Sequence, residues 1–241
     1  MIKWLALFLL FALPAAASPV VADMSNYEIT MDSNFNGTRL FVFGARNESG
    51  DIVAVIRGPI KNYVVRKKEE FAGIWINKDK VKLFNVPDFY AIASSKPLDK
   101  LNHPKSFKML AIGHENLFNK PADPLKWAFY DEFTHAFIAH QVAERLYSPT
   151  PTSLSFMGET LFKAVIEFPD NIPPGKYNAE IYLLNNNTIV GSHVLPIEVK
   201  KVGLDGFLYD YAHNRPLLYG ISAVVLALSA GWFAGRLFEK F

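Results

Sequence analysis

The sequence predicts a mainly β protein that ends in a transmembrane helix. Three observations carry that reading. Short runs rich in Val, Ile, Phe and Tyr recur along the chain with turn-forming clusters between them. One stretch after Pro97 changes to helical spacing. The last apolar stretch, Pro216 to Gly235, runs twenty residues without a charge. Between the two apolar ends of the 241-residue chain lie about 180 residues, enough for one large core or two small ones.

Residues 1–17 have the build of a cleavable export signal: MIK, then the apolar WLALFLLFAL, then a proline and Ala15-x-Ala17. Ten apolar residues give about 15 Å of helix, too short for a hydrocarbon layer of about 30 Å. Residues 18–98 read as a first β-rich lobe. YEITM, TRLFVFG, DIVAVIR, NYVVR, GIWIN, KVKLF and FYAIAS are its strands, and NFNG, NESGD, RGP, NKDK and NVPD its turns. Residues 99–202 read as a second lobe carrying a helix over about 124–147, capped by Asp123 and stopped near Pro149. In that helix Leu125, Phe129, Phe133 and Phe137 form an i, i+4 stripe expected to face the core. Strands return as TLFKAVIEF, KYNAEIYLL and TIVGSHVLPIEV. The run IPPGKY ahead of an alternating strand is common in immunoglobulin-like domains. The expectation is therefore an immunoglobulin-like sandwich, built either as two β-rich lobes with one helical insertion or as one extended sandwich that a helix interrupts.

Residues 203–215 place Leu204, Phe207, Leu208 and Tyr211 at i, i+3, i+4 and i+7, an amphipathic segment suited to a membrane surface or to the underside of the preceding domain. Residues 216–235 follow as the transmembrane helix, about 30 Å long. Asn214 is placed to cap it, Pro216 sits in its first turn, and Tyr219 and Trp232 lie near opposite ends. The export signal puts everything before Pro216 outside, which leaves 236–241 as a short cytoplasmic tail with Arg236 and Lys240 as its stop. Ala223, Ala227, Gly231 and Gly235 repeat every four residues and make a helix-packing face for a copy of the chain or for another membrane protein.

RGPIKNYVVRKKEEFAGIWINKDKVKLFNVPDFYAIASS, SFMGETLFKAVIEFPDNIPPGKYNAEIYLL and KKVGLDGFLYDYAHNRPLLYG, together with the anchor, resemble an uncharacterised alphaproteobacterial family of single-pass transmembrane proteins. The resemblance spans nearly the whole mature chain. It implies a Gram-negative inner membrane and a periplasmic domain, and it carries over no activity, cofactor or catalytic residue. Some members accompany genes for permeases linked to sulfite or sulfonate export, which implies an anion permease as partner.

Chemistry is sparse. With 25 Lys and Arg against 23 Asp and Glu there is no field to steer nucleic acid. The absence of cysteine excludes disulfides, thiol catalysis and iron–sulfur clusters. His135 and His140 share a helix at a spacing that turns them about 140° apart, so they cannot grip one metal. The remaining histidines are scattered, and no nucleophile motif or cofactor fingerprint is present. One cluster is suggestive: Arg57, Lys61, Arg66 and Lys68 with Trp75, a candidate patch for an anion or an acidic partner. Edge-strand protection by lysines and attraction to anionic headgroups explain the same residues. Strand alternation sends Arg66 and Lys68 to one face and Lys67 to the other. The reading is a periplasmic binding or accessory protein of an inner-membrane complex, without cofactor or metal. A tethered enzyme such as a hydrolase and a structural envelope protein are the alternatives.

Overall fold

The computed structural model describes residues 18–71, 73–186 and 188–238. Residues 1–17, read above as an export signal, and residues 239–241 lie outside them. The chain is mainly β, and its strands fall into two facing sheets and one separate ribbon.

The first sheet has the order β1 (Val20–Met24), β3 (Thr38–Arg46), β10 (Leu161–Phe168), β9 (Ser155–Met157). The second has the order β2 (Glu28–Met31), β12 (Thr188–Lys201), β11 (Gly175–Asn185), β4 (Asp51–Arg57), β7 (Tyr90–Ser94), β8 (Thr152–Ser153). β2 runs parallel to β12, while β11 pairs antiparallel with both β12 and β4. This is the two-sheet strand order of an immunoglobulin-like domain with its first strand split between the sheets. Both sheets contain strands from the two halves of the chain and join them by direct pairing, for β3 pairs with β10 and β4 with β11. The architecture is therefore one interrupted sandwich rather than two lobes, because the pairs β3–β10 and β4–β11 tie the two halves into the same two sheets.

Burial follows the layers. β10 alternates buried and exposed residues, since only one face of the first sheet is covered. β4 is buried from Ile52 to Ile56, since its sheet is covered on both sides. One core lies between the sheets, around Leu40, Val42, Ile56, Phe162, Ile166 and Ile181. A second core lies on the outer side of the six-stranded sheet. There Val53, Val55, Tyr90 and Ile92 meet α1 (Leu98–Leu101), α2 (Pro104–Met109) and α3 (Trp127–Ala143) through Leu101, Phe107 and Phe137. The IPPGKY run becomes the corner that starts β11. Tyr177 is fully buried, its hydroxyl donates to the Pro173 carbonyl at 2.6 Å, and burial pushes its phenol well up.

Several expectations change. α1 and α2 were not anticipated; at four and six residues they are too short to leave a periodic pattern. α3 begins after a 3-10 turn at Pro124–Lys126 and ends at Ala143, and Tyr147 then enters the core beside Tyr90. Only the second half of its Phe stripe is buried: Phe133 and Phe137 are covered, Phe129 is exposed and Leu125 is 93 % exposed. The start of the helix extends beyond the core that covers its end. GIWIN and KVKLF are one strand, β6 (Ile74–Pro87), and NKDK forms an irregularity in its pairing instead of a turn. β12 leads into α4 (Gly203–Asn214), and α5 (Pro216–Phe238) follows. Asn214 ends α4 and does not cap α5; Arg215, held out of the helical region ahead of Pro216, offers its carbonyl to the Tyr219 N–H.

Candidate functional site

The most unusual element is the ribbon of β5 (Ile60–Phe71) and β6, which leaves β4 through Gly58-Pro59 and returns at Pro87. Twelve residues in β5 give about 40 Å of reach. Its first two thirds pack on α3: Tyr63 lies 4.9 Å from Phe137 between ring centroids, and Lys67 pairs with Glu132 at 2.7 Å. Moving outward along β5 thus means moving toward the start of α3, so ribbon and helix form one arm with their free ends on the same side.

The root of the arm is a closed polar knot. The buried Asp88 carboxylate accepts the Tyr63 hydroxyl and lies 2.5 Å from the Lys61 ammonium. Burial, then this hydrogen bond, raise the Tyr63 phenol well above its ordinary value. Arg57 is only 14 % exposed and faces Glu180, which also accepts the Tyr182 hydroxyl at 2.6 Å. Its other nitrogen donates to the Leu110 and Ala111 carbonyls at 2.5 and 3.1 Å. Tyr90, pushed up to about 12 by burial, stays protonated and donates to Ala111 at 3.0 Å. Arg57 therefore ties the segment after α2 to the sandwich, and Lys61 already holds an anion, the carboxylate of Asp88. Neither joins the surface patch that the sequence suggested.

Arg66, Lys68 and Trp75 are brought together. Pairing register puts Arg66 opposite Lys80, Val64 opposite Lys82, Lys68 opposite Asn77 and Glu70 opposite Trp75, all on one face of the ribbon. Lys67 falls on the other face, as alternation requires. Among the described residues Arg66, Lys68, Lys80 and Lys82 have no ion-pair partner. Beyond them the arm ends in exposed apolar side chains: Phe71 at 72 %, Trp75 at 66 %, with Ile74 and Ile76 around the turn at Gly73. Trp127 and Phe129 are exposed at the matching end of α3.

A second apolar surface lies on the uncovered face of the four-stranded sheet. Val21, Phe41, Phe43, Met157 and Leu161 are all exposed there and line a groove of about 590 Å³ with Asp23 and Lys163 at its rim. Gly44 lets β1 and β3 approach beneath it, since a Cβ would sit 2.3 Å from the Val21 carbonyl.

A polar cleft of about 530 Å³ among α1, α2 and the loop after Tyr147 is lined by Asp99, His103, His114 and Glu115. His103 is buried with Nδ1 lacking a hydrogen-bond partner, and His114, half-buried against Tyr147, has its pKa lowered by burial. Neither imidazole shares an ion pair or hydrogen bond with Asp99 or Glu115 among the described residues. No group of three metal-ligating side chains occurs among the described residues, and His135 and His140 are both exposed on α3.

The C-terminal end supplies the anchor. α5 offers a 21-residue span, Pro216–Arg236, with mean hydropathy 1.9 and none of it buried. At 1.5 Å per residue it is about 31 Å long, the thickness of a hydrocarbon layer. Gly231 and Gly235 have no atom within 4 Å of where a Cβ would stand, so the small-residue face with Ala223 and Ala227 is open. Residues 19–240 match the alphaproteobacterial family described as "Putative transmembrane protein (Alph_Pro_TM)". The chain belongs to this family. No curated protein matches it.

As a member of this transmembrane family the chain carries a β-rich body together with one candidate spanning helix among the described residues. Two features of that body escaped the sequence. The groove on the four-stranded sheet is made by alternate residues of strands distant in the chain. Their outward apolar side chains, such as Phe41 and Phe43, are the one signal that pointed to it, because alternation demands polar residues there. The apolar end of the arm was legible only as strand, since Phe71, Ile74 and Trp75 read as ordinary β residues until the ribbon is seen to leave the sandwich.

Proposed function

We propose that the protein is a periplasmic binding subunit held on the inner membrane by α5, and that it docks a second polypeptide, an extracytoplasmic segment of a membrane-protein neighbour, in the groove of the four-stranded sheet. The single observation that carries this is the apolar face left open by Val21, Phe41, Phe43, Met157 and Leu161 on a sheet whose other face is fully packed. Exposure of such apolar surface to water costs roughly 25 cal/mol per Å², so covering it favours association. The export signal read at 1–17 and the alphaproteobacterial family membership support periplasmic placement, and a permease is the kind of neighbour the resemblance suggests. The tethered-enzyme alternative rests on the cleft of His103 and His114, which lacks the base–carboxylate pairing that orients a catalytic imidazole.

The test is a photo-crosslinking amino acid at Phe43 in intact cells. A discrete adduct with a membrane protein is expected, lost in a Met157→Asp background whose melting temperature is unchanged. An adduct-free Phe43 position, or an adduct indifferent to Met157→Asp, contradicts the reading.

A further inference from the structure

The arm of β5, β6 and α3 is a surface separate from the groove, and its root is placed with the anchor. Gly175 at the start of β11 pairs with Val199 near the end of β12, and Pro59 fills the space beside Gly175 where a Cβ would stand. The Asp88 N–H donates to the Pro59 carbonyl at 2.8 Å, closing the ribbon at the same point. So the arm and the chain that continues into α4 and α5 leave the same end of the six-stranded sheet. α4 is twelve residues, about 18 Å, against about 40 Å of ribbon.

We infer that the free end of the arm dips into the headgroup zone of the same bilayer that holds α5. Phe71, Ile74, Trp75 and Ile76 are large, exposed and gathered at one turn, and the aromatic rings among them are of the kind that favours the membrane interface. Behind them Arg66, Lys68, Lys80 and Lys82 present unpaired cations along one face of the shaft, where an anionic phosphate layer would lie. A protein partner of comparable affinity calls for a shaped pocket with a satisfied polar rim, whereas a convex turn with a cationic shaft complements a fluid anionic surface. The occupant assigned is therefore anionic lipid. The sandwich then touches the membrane at two places, α5 and the arm, which fixes its orientation over the bilayer.

The chain has no cysteine, so single-cysteine labelling is clean. The full chain carrying Ile74→Cys, modified with an environment-sensitive fluorophore, is reconstituted into vesicles of phosphatidylcholine and phosphatidylglycerol containing a lipid with a nitroxide near the headgroup. Glu48→Cys, exposed in the turn between β3 and β4 at the other end of the sandwich, is the control. Quenching at position 74 is expected to be several-fold stronger than at 48. It should fall to the control level in pure phosphatidylcholine, or when Arg66, Lys68, Lys80 and Lys82 are all changed to Gln, with no change in melting temperature. Equal quenching at 74 and 48 in anionic vesicles overturns the inference. So does a blue-shifted but unquenched label at 74, the outcome expected if a second copy of the chain or another protein covers the turn. None of these readouts depends on the groove, so the two readings fail separately.

Discussion

Replacing Arg57 with methionine keeps an unbranched apolar stem of about the length of the arginine's aliphatic part and removes its charge and donors. Glu180, 18 % exposed, is left with Tyr182 as its one remaining side-chain partner, and the Leu110 carbonyl loses the Arg57 donor, while the Ala111 carbonyl keeps Tyr90. Breaking a buried ion pair from one side costs about 3–5 kcal/mol, and the surviving Tyr182 bond places this case near about 3. In a domain of this size each kcal/mol moves the melting temperature by about 2–4 °C, so the variant should melt about 6–12 °C below the parent. The assay is thermal unfolding of the full chain in detergent by circular dichroism, with hydrogen exchange over residues 98–126 as the local readout. Adding Glu180→Gln should recover most of the loss, because the uncompensated charge is gone. Changing Arg66 and Lys68 to Gln should leave the melting temperature unmoved. An Arg57→Met protein that melts with the parent would refute the claim that Arg57 is a structural tie and return it to the list of residues free to bind a ligand.

Three further outcomes follow from the geometry. Tyr177→Phe removes the 2.6 Å bond to the Pro173 carbonyl and should cost about 1–2 kcal/mol in a denaturant titration, without changing the sheet content. His114 is held below its ordinary pKa of 6.5 by burial, so its neutral ring stabilises the fold above about pH 6.5, and that contribution is lost as the pH falls through its depressed folded value. Unfolding midpoints at about pH 7.5 and about pH 5 should diverge less in His114→Gln than in the parent. Gly231→Ile with Gly235→Ile fills the open small-residue face of α5 and should lower the yield of crosslinked anchor complexes; an unchanged yield removes that face as a packing surface.

The parts of this molecule that local chemistry dictates were legible in the sequence. The strands of the sandwich, the IPPGKY corner and the anchor all carry their own periodicity or composition. The interleaving of the two halves was not, because β3 finds β10 across a separation of more than a hundred residues and nothing local encodes that choice. The Phe stripe of α3 shows the same limit: spacing marks a face, but only Phe133 and Phe137 lie where something packs against it. Among the candidate residues, Arg66, Lys68 and Trp75 share one face of the ribbon, a placement that alternation, a local rule, makes readable from sequence. Arg57 and Lys61 were grouped with them by proximity in sequence, while their true partners, Glu180 and Asp88, come from β11 and from the far side of the ribbon.

The central claim is that α5 crosses the membrane and carries the sandwich on the outer side. Single cysteines at Glu48 and at Lys240, treated with a membrane-impermeant maleimide on spheroplasts, test it directly. Position 48 should react at once and position 240 only after permeabilisation. Reaction of position 240 before permeabilisation, or protection of position 48, would contradict the account.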